Sequence, residues 1–136
     1  MRIVVDSYAW IEVFLGSSKG KDARKIIEEA DQVFTPDTVL VEVAGKYLRD
    51  GASAATIAKR LSAISEISEL ASIGGDSALE AGRAFLELER KSKDKGLEKP
   101  SLFDGIVLAT ARLRRASVVT GDPHFKGLSE TVWLRD

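Results

Sequence analysis

Residues 117–125 read SVVTGDPHF. Val118 and Val119 form an apolar, β-branched run that stops at Thr120, Gly121 and Asp122, as a short buried strand would on reaching a helical turn. The start of the chain repeats the pattern, because residues 2–10 read RIVVDSYAW and the apolar run there halts at Asp6. Two strand-like segments each ending on an aspartate raise one question, whether the acid caps the next helix or does chemistry there.

Between these segments, helical and strand-like stretches alternate. SYAWIEVFLG places Tyr8, Ile11, Phe14 and Leu15 at helical spacing, KDARKIIEEA forms a second helix, and QVFTP a short strand. DTVLVEVAGKYLRDG reads as a helix capped by Asp37 or Thr38, and SAATIAKRLSAI as another. SEISELA reads as a weak strand, and DSALEAGRAFLELERKS as an amphipathic helix with Asp76 or Ser77 at its cap. KSKDKGLEKP reads as an exposed loop, and SLFDGIVLATARLRRA as a buried helix. SVVT is a strand, DPHF a helical turn and TVWLR a last strand. Short apolar strands alternating with helices predict an α/β fold with a parallel sheet covered on both faces. Ligands of such sheets bind beyond the carboxyl ends of the strands, where the strand order reverses. Asp6 and Asp122 both stand at such ends.

The 136 residues, 44% hydrophobic and 30% charged, read as one globular domain spanning 1–136. With no cysteine and one histidine, thiolate and histidine-rich metal sites are ruled out, so a metal would be held mainly by carboxylates. Oxygen ligands favour Mg²⁺ or Mn²⁺. A net charge of −1 does not advertise a nucleic-acid binder, although local clusters can still act. No apolar run approaches the roughly 20 residues needed to span a membrane, and no leader-like segment opens the chain; it reads as cytoplasmic.

Two further acids stand in apolar surroundings. Glu42 lies among Val39, Leu40, Val41 and Val43, and Asp104 in the first turn of the most apolar helix. A buried carboxylate without a partner is costly, and several together are costlier unless a cation joins them. Each has a structural alternative. Asp6 suits a helix cap, Asp122 before Pro123 suits a cap with proline at the first helical position, and Asp104 follows Ser101 at capping-box spacing. Glu42 is past the first turn, with Lys46 as a possible partner four residues on. Glu12 falls at the edge of its helix's apolar face and reads as solvated. Ser7 and Thr120 flank two of the acids, where their hydroxyls could orient a carboxylate, or serve as a cap and a strand residue. His124 reads as an exposed turn residue. Lys93, Lys95 and Lys99 crowd the loop before Asp104's helix, where they could meet a phosphate backbone or simply be solvated. Arg112, Arg114 and Arg115 complement that helix's C-terminus.

Taken in order, IVVDSYAWIE, VLVEVA, LFDGIVLATA and VVTGDPHF resemble the PIN-domain family, most of all its VapC-type ribonuclease toxins, over essentially the whole chain. The resemblance implies a three-layer α/β/α sandwich around a parallel sheet. It implies Mg²⁺- or Mn²⁺-dependent endonucleolytic cleavage of RNA, with Asp6, Glu42, Asp104 and Asp122 as the acidic, metal-holding residues. Ser7 and Thr120 match the family's small hydroxyl positions. A homodimer and a cognate antitoxin protein are implied partners. An RNA-processing nuclease that is not a toxin, or a silent binding module of the same fold, are the alternatives. A phosphoacceptor domain fits less well, because Asp6 is followed by Ser7 rather than a second acid, and the middle acid lies on a helix.

Overall fold

The computed structural model describes residues 1–135. The chain runs β1 (Arg2–Val5), α1 (Ser7–Leu15), α2 (Ser18–Glu29), β2 (Gln32–Pro36), α3 (Asp37–Arg49), α4 (Ala54–Ile67) and β3 (Glu69–Ala71). It continues with α5 (Gly75–Asp94), α6 (Leu102–Arg114), β4 (Ser117–Thr120), a 3-10 turn (Pro123–Phe125) and β5 (Thr131–Trp133). All the strands are parallel, in the order β3-β2-β1-β4-β5, and six helices flank them in a three-layer α/β/α sandwich.

Burial explains the central strands. Ile3, Val4 and Val5 of β1 and Val118 and Val119 of β4 are all fully buried, so these strands are apolar on both faces rather than alternating. β1 pairs with β2 on one side, Val4 opposite Phe34, and with β4 on the other, Val5 opposite Val119. From β1 the chain winds outward through β2 to β3, then returns past β1 to lay down β4 and β5. The order therefore reverses between β1 and β4, and ligands of such sheets bind beyond the carboxyl ends of the strands at that reversal.

Helix boundaries differ from the sequence reading in several places. SEISELA is not one strand: α4 continues through Ile67, where Ser68 Oγ donates to the Ile64 carbonyl at 2.7 Å, and only Glu69–Ala71 joins the sheet. KSKDKGLEKP is not all loop. α5 runs to Asp94 because Ser92 continues the buried stripe of Ala84 and Leu88, and the helix closes at Lys95 and Gly96, whose φ of 71° suits a glycine. Pro36 takes the cap position of α3, with Asp37 in the first turn. Gly74 takes that of α5, with Ser77 reaching back to it.

Close approach of α5 and α6 rests on Gly105, where a Cβ would lie 2.6 Å from the Ala81 carbonyl and 2.8 Å from Phe85 Cβ. Arg112 of α6 holds the same pair from its exposed edge, reaching Glu87 on α5 at 2.6 Å and Glu130 before β5 at 2.7 Å. Arg112 is thus a cross-element clasp rather than only a complement to its helix terminus. Trp10 and Tyr47, on α1 and α3, are buried; the exposed apolar residues of α3 are Val41 and Leu48. Among the described residues, no helix is long and apolar enough to cross a membrane.

Candidate active site

Asp6 follows β1 directly and caps α1, its Oδ1 accepting from the Ala9 amide at 3.0 Å. Its Oδ2 accepts from Thr120 Oγ1, at the end of neighbouring β4, at 2.6 Å. Thr120 Oγ1 in turn accepts from the Asp122 amide at 2.9 Å, so one hydroxyl links the two strand ends across the switch point. Gly121 lies between them under the Tyr8 ring, where a Cβ would come within 2.5 Å of a ring carbon.

Asp104 occupies the third position of α6 in a reciprocal capping box. Its Oδ2 accepts from the Ser101 amide at 2.9 Å, and its own amide donates to Ser101 Oγ at 3.3 Å. Asp122 caps the 3-10 turn behind Pro123, its Oδ1 accepting from the His124 amide at 3.0 Å. Glu42 has no capping role. It projects from the second turn of α3, half-buried, with the Ser7 hydroxyl hydrogen-bonded to it. Ser7 and Thr120 therefore each hold one of the acids.

Electrostatics ties the four acids together. Asp6 is only 4% exposed, and burial pushes its carboxyl up to about 7 from an ordinary 3.8, against the hydrogen bonds from Thr120 and Ala9 and with the charges of Asp122 and Glu42 adding to the rise. Glu42 is also pushed up to about 7, first by burial, then by the charges of Asp104 and Asp122. Asp104 is raised by burial and by Asp122, although its bonds to Ser101 work the other way. Asp6, Glu42 and Asp104 therefore do not behave as isolated carboxyls.

The closest grouping of ligand atoms joins Asp104, Asp122 and His124, all within 4.8 Å of one another. Asp6 and Glu42 fall outside that spacing and reach it through charge. His124 departs from the sequence expectation: its side chain is only 19% exposed. Nδ1 lies 2.9 Å from Asp122 Oδ1, and Nε2 lies 2.8 Å from the Glu98 carbonyl. The carbonyl can only accept, which puts a hydrogen on Nε2. Burial opposes a charge on this ring, but the Glu98 carbonyl together with Asp122 and Asp104 outweighs it, and His124 is raised above its ordinary value. A trace of this was present in Asp-Pro-His, because an aspartate capping its own turn brings the side chain two residues on beside its carboxylate.

The lysines are partly engaged. Lys95 Nζ donates to the Lys126 carbonyl at 2.6 Å, and Lys99 pairs with Glu89 at 3.2 Å. Lys93 is exposed at the end of α5. Glu12 is half-buried rather than solvated, accepting a short hydrogen bond from Ser17 Oγ.

A family model for the PIN domain matches residues 3–130. The chain belongs to the PIN-domain family. That membership supports a nuclease. Solved PIN structures agree in fold. A toxin–antitoxin complex from Klebsiella pneumoniae aligns at 19% identity with a TM-score of 0.70, covering 98% of both chains. VapC20 of Mycobacterium tuberculosis, a toxin described as cleaving the sarcin–ricin loop, aligns at 18% identity and 0.72, covering 98% of this chain and 99% of its own. VapBC2 from Rickettsia felis, bound to a promoter DNA fragment, aligns at 15% and 0.68, with 98% and 97% covered. No curated protein matches the sequence significantly.

Proposed function

We propose that this PIN domain is a divalent-metal-dependent endoribonuclease, the toxin of a toxin–antitoxin pair. The observation that carries the reading is the placing of Asp6, Glu42 and Asp104, each buried or half-buried, around the sheet's switch point, where the charges of neighbouring acids add to the cost of ionising them. Acids so placed are unstable together as anions unless a cation joins them. The four acids offer carboxylate oxygens, which fit Mg²⁺ or Mn²⁺. Asp6, Glu42, Asp104 and Asp122 would hold the ion. When bound, it would neutralise phosphate charge and activate water for attack on the phosphodiester.

The protein's own part is positioning. Thr120 fixes the Asp6 carboxylate, and the Ser7 hydroxyl is bonded to Glu42. Lys93, Lys95 and Lys99 lie along the segment leading to Asp104, where a phosphate backbone would pass; among the described residues, the Lys93 ammonium is the one of the three that meets neither a carbonyl nor a carboxylate. The partners are an RNA substrate, a cognate antitoxin protein and a second copy of the chain. The toxin–antitoxin complexes among its structural neighbours support the antitoxin.

The test is cleavage of total cellular RNA by purified protein. Cleavage should require Mg²⁺ or Mn²⁺, stop with EDTA and disappear in Asp6→Ala. Cleavage that survives both treatments would refute the mechanism. A wild-type protein that binds Mn²⁺ but cuts no RNA would favour a silent binding module, and processing of one RNA without growth arrest on expression would favour a non-toxin nuclease.

A further inference from the structure

Asp104 and Asp122 come from different elements, α6 and the end of β4, and the carboxylate of each caps within its own turn. Neither capping arrangement sets the distance between the two carboxylates. The contacts of His124 do. Its ring meets Asp122 Oδ1 through Nδ1 at 2.9 Å and donates from Nε2 to the Glu98 carbonyl at 2.8 Å. Glu98 belongs to the segment 95–100 that leads straight into the Ser101–Asp104 capping box. The same segment is pinned a second time, by Lys95 Nζ on the Lys126 carbonyl at 2.6 Å, just past the other end of the 3-10 turn. The turn itself cannot drift, because Pro123 restricts its start and Phe125 at its end is fully buried.

We propose that His124 is a positioning residue that bridges Asp122 to the 95–100 segment and so sets the spacing of Asp104 and Asp122. It is not itself a metal ligand in this arrangement. Both ring nitrogens are already engaged, Nε2 by the Glu98 carbonyl and Nδ1 by Asp122 Oδ1. The inference rests on the proposed metal site, but the bridge can be measured without metal.

The experiment compares wild type with His124→Ala, His124→Asn and His124→Gln. Asparagine can place a donor near Nδ1 and glutamine near Nε2, so each restores one half of the bridge. Amide hydrogen exchange of the metal-free protein reads the segment, and calorimetric titration with Mn²⁺ reads the site. In His124→Ala, exchange of the Leu97 and Ser101 amides, which donate to the Ser92 carbonyl at 2.8 Å and to Asp104 Oδ2 at 2.9 Å, should rise roughly tenfold while the rest of the molecule keeps its protection. Mn²⁺ affinity should fall about tenfold or more, as when a residue supporting a metal ligand is lost. His124→Gln should recover the segment's protection and His124→Asn should not, with both binding Mn²⁺ more tightly than His124→Ala. Unchanged exchange in His124→Ala would overturn the proposal, as would unchanged Mn²⁺ affinity. Loss of Mn²⁺ binding in all three variants with the segment still protected would make His124 a direct ligand and overturn it too. If wild type binds no Mn²⁺, the metal site fails while the bridge is still decided, for or against, by the exchange of the Leu97 and Ser101 amides.

Discussion

Asp6→Asn removes a charge from a site where the structure makes that charge expensive. Asp6 is 4% exposed and its carboxyl is raised from 3.8 to about 7. The unfolded chain releases this proton near pH 4, but the folded chain keeps it to about pH 7. Between those values the native state holds the extra proton, so stability falls as pH rises. From pH 5 to pH 8 the folded wild type loses about two pKa units of stability at this residue, roughly 3 kcal/mol at most. Local relaxation and water entry weaken such costs, and about half of that ceiling, roughly 1.5 kcal/mol, is the working figure. The asparagine variant has no proton to lose. It can still accept from the Ala9 amide, and its amide can donate to Thr120 Oγ1. Its melting temperature relative to wild type should therefore rise between pH 5 and pH 8. The gain should be about 5 °C, at roughly 3–5 °C per kcal/mol for a chain of this size. The assay is thermal unfolding by circular dichroism in EDTA at pH 5, 6, 7 and 8. A difference that stays constant across that range would refute the reasoning and leave Asp6 as a helix cap alone.

The same logic separates charge from capping at Asp104. Asp104→Asn keeps an acceptor for the Ser101 amide and should melt within a few degrees of wild type, or higher, while losing Mn²⁺ binding; Asp104→Ala breaks the capping box and should cost about 1 kcal/mol in urea titration. Arg112→Leu should cost about 1 kcal/mol at pH 7, a modest figure because the pairs with Glu87 and Glu130 are partly exposed. Arg112 holds Glu87 below its ordinary value, and outweighs burial to lower Glu130 as well, so the wild type's advantage should be complete at neutral pH and fade as pH falls below 4.5 through the lowered values. Urea titrations at pH 7 and pH 3 measure this.

The fold was legible where burial leaves few choices. Ile3 to Val5 and Val118 to Val119 have no polar face to show to water, so a sheet covered on both sides was the natural reading. The strand order was not legible, because pairing depends on how helices far apart in sequence pack over the sheet. Ser65–Ile67 were misread because the run carries no capping signal of its own; Ile64 and Ile67 stand at helical spacing, and the Ser68 bond to the Ile64 carbonyl closes the helix behind them. At the site, the acids stood out by their apolar neighbours. The bridge made by His124 did not, because one of its partners is a backbone carbonyl. A main-chain oxygen carries no residue signature, and its position is set by where α5 ends.

Capping and metal binding looked like competing explanations for three of the four acids, and the geometry removes the competition. Asp6, Asp104 and Asp122 each give a backbone amide one oxygen, Oδ1, Oδ2 and Oδ1 respectively, within their own turns. The other oxygen of Asp6 reaches across to Thr120. The cap fixes the carboxylate's rotation at each element's start, and the start of each element is where the sheet's crevice opens. Local turn chemistry thus orients groups whose mutual repulsion would otherwise splay them apart. Alanine at these positions removes both orientation and charge, whereas asparagine removes only charge. A loss of activity in an alanine variant therefore says little about which role the acid plays; the asparagine variant, read by stability against pH, separates the two.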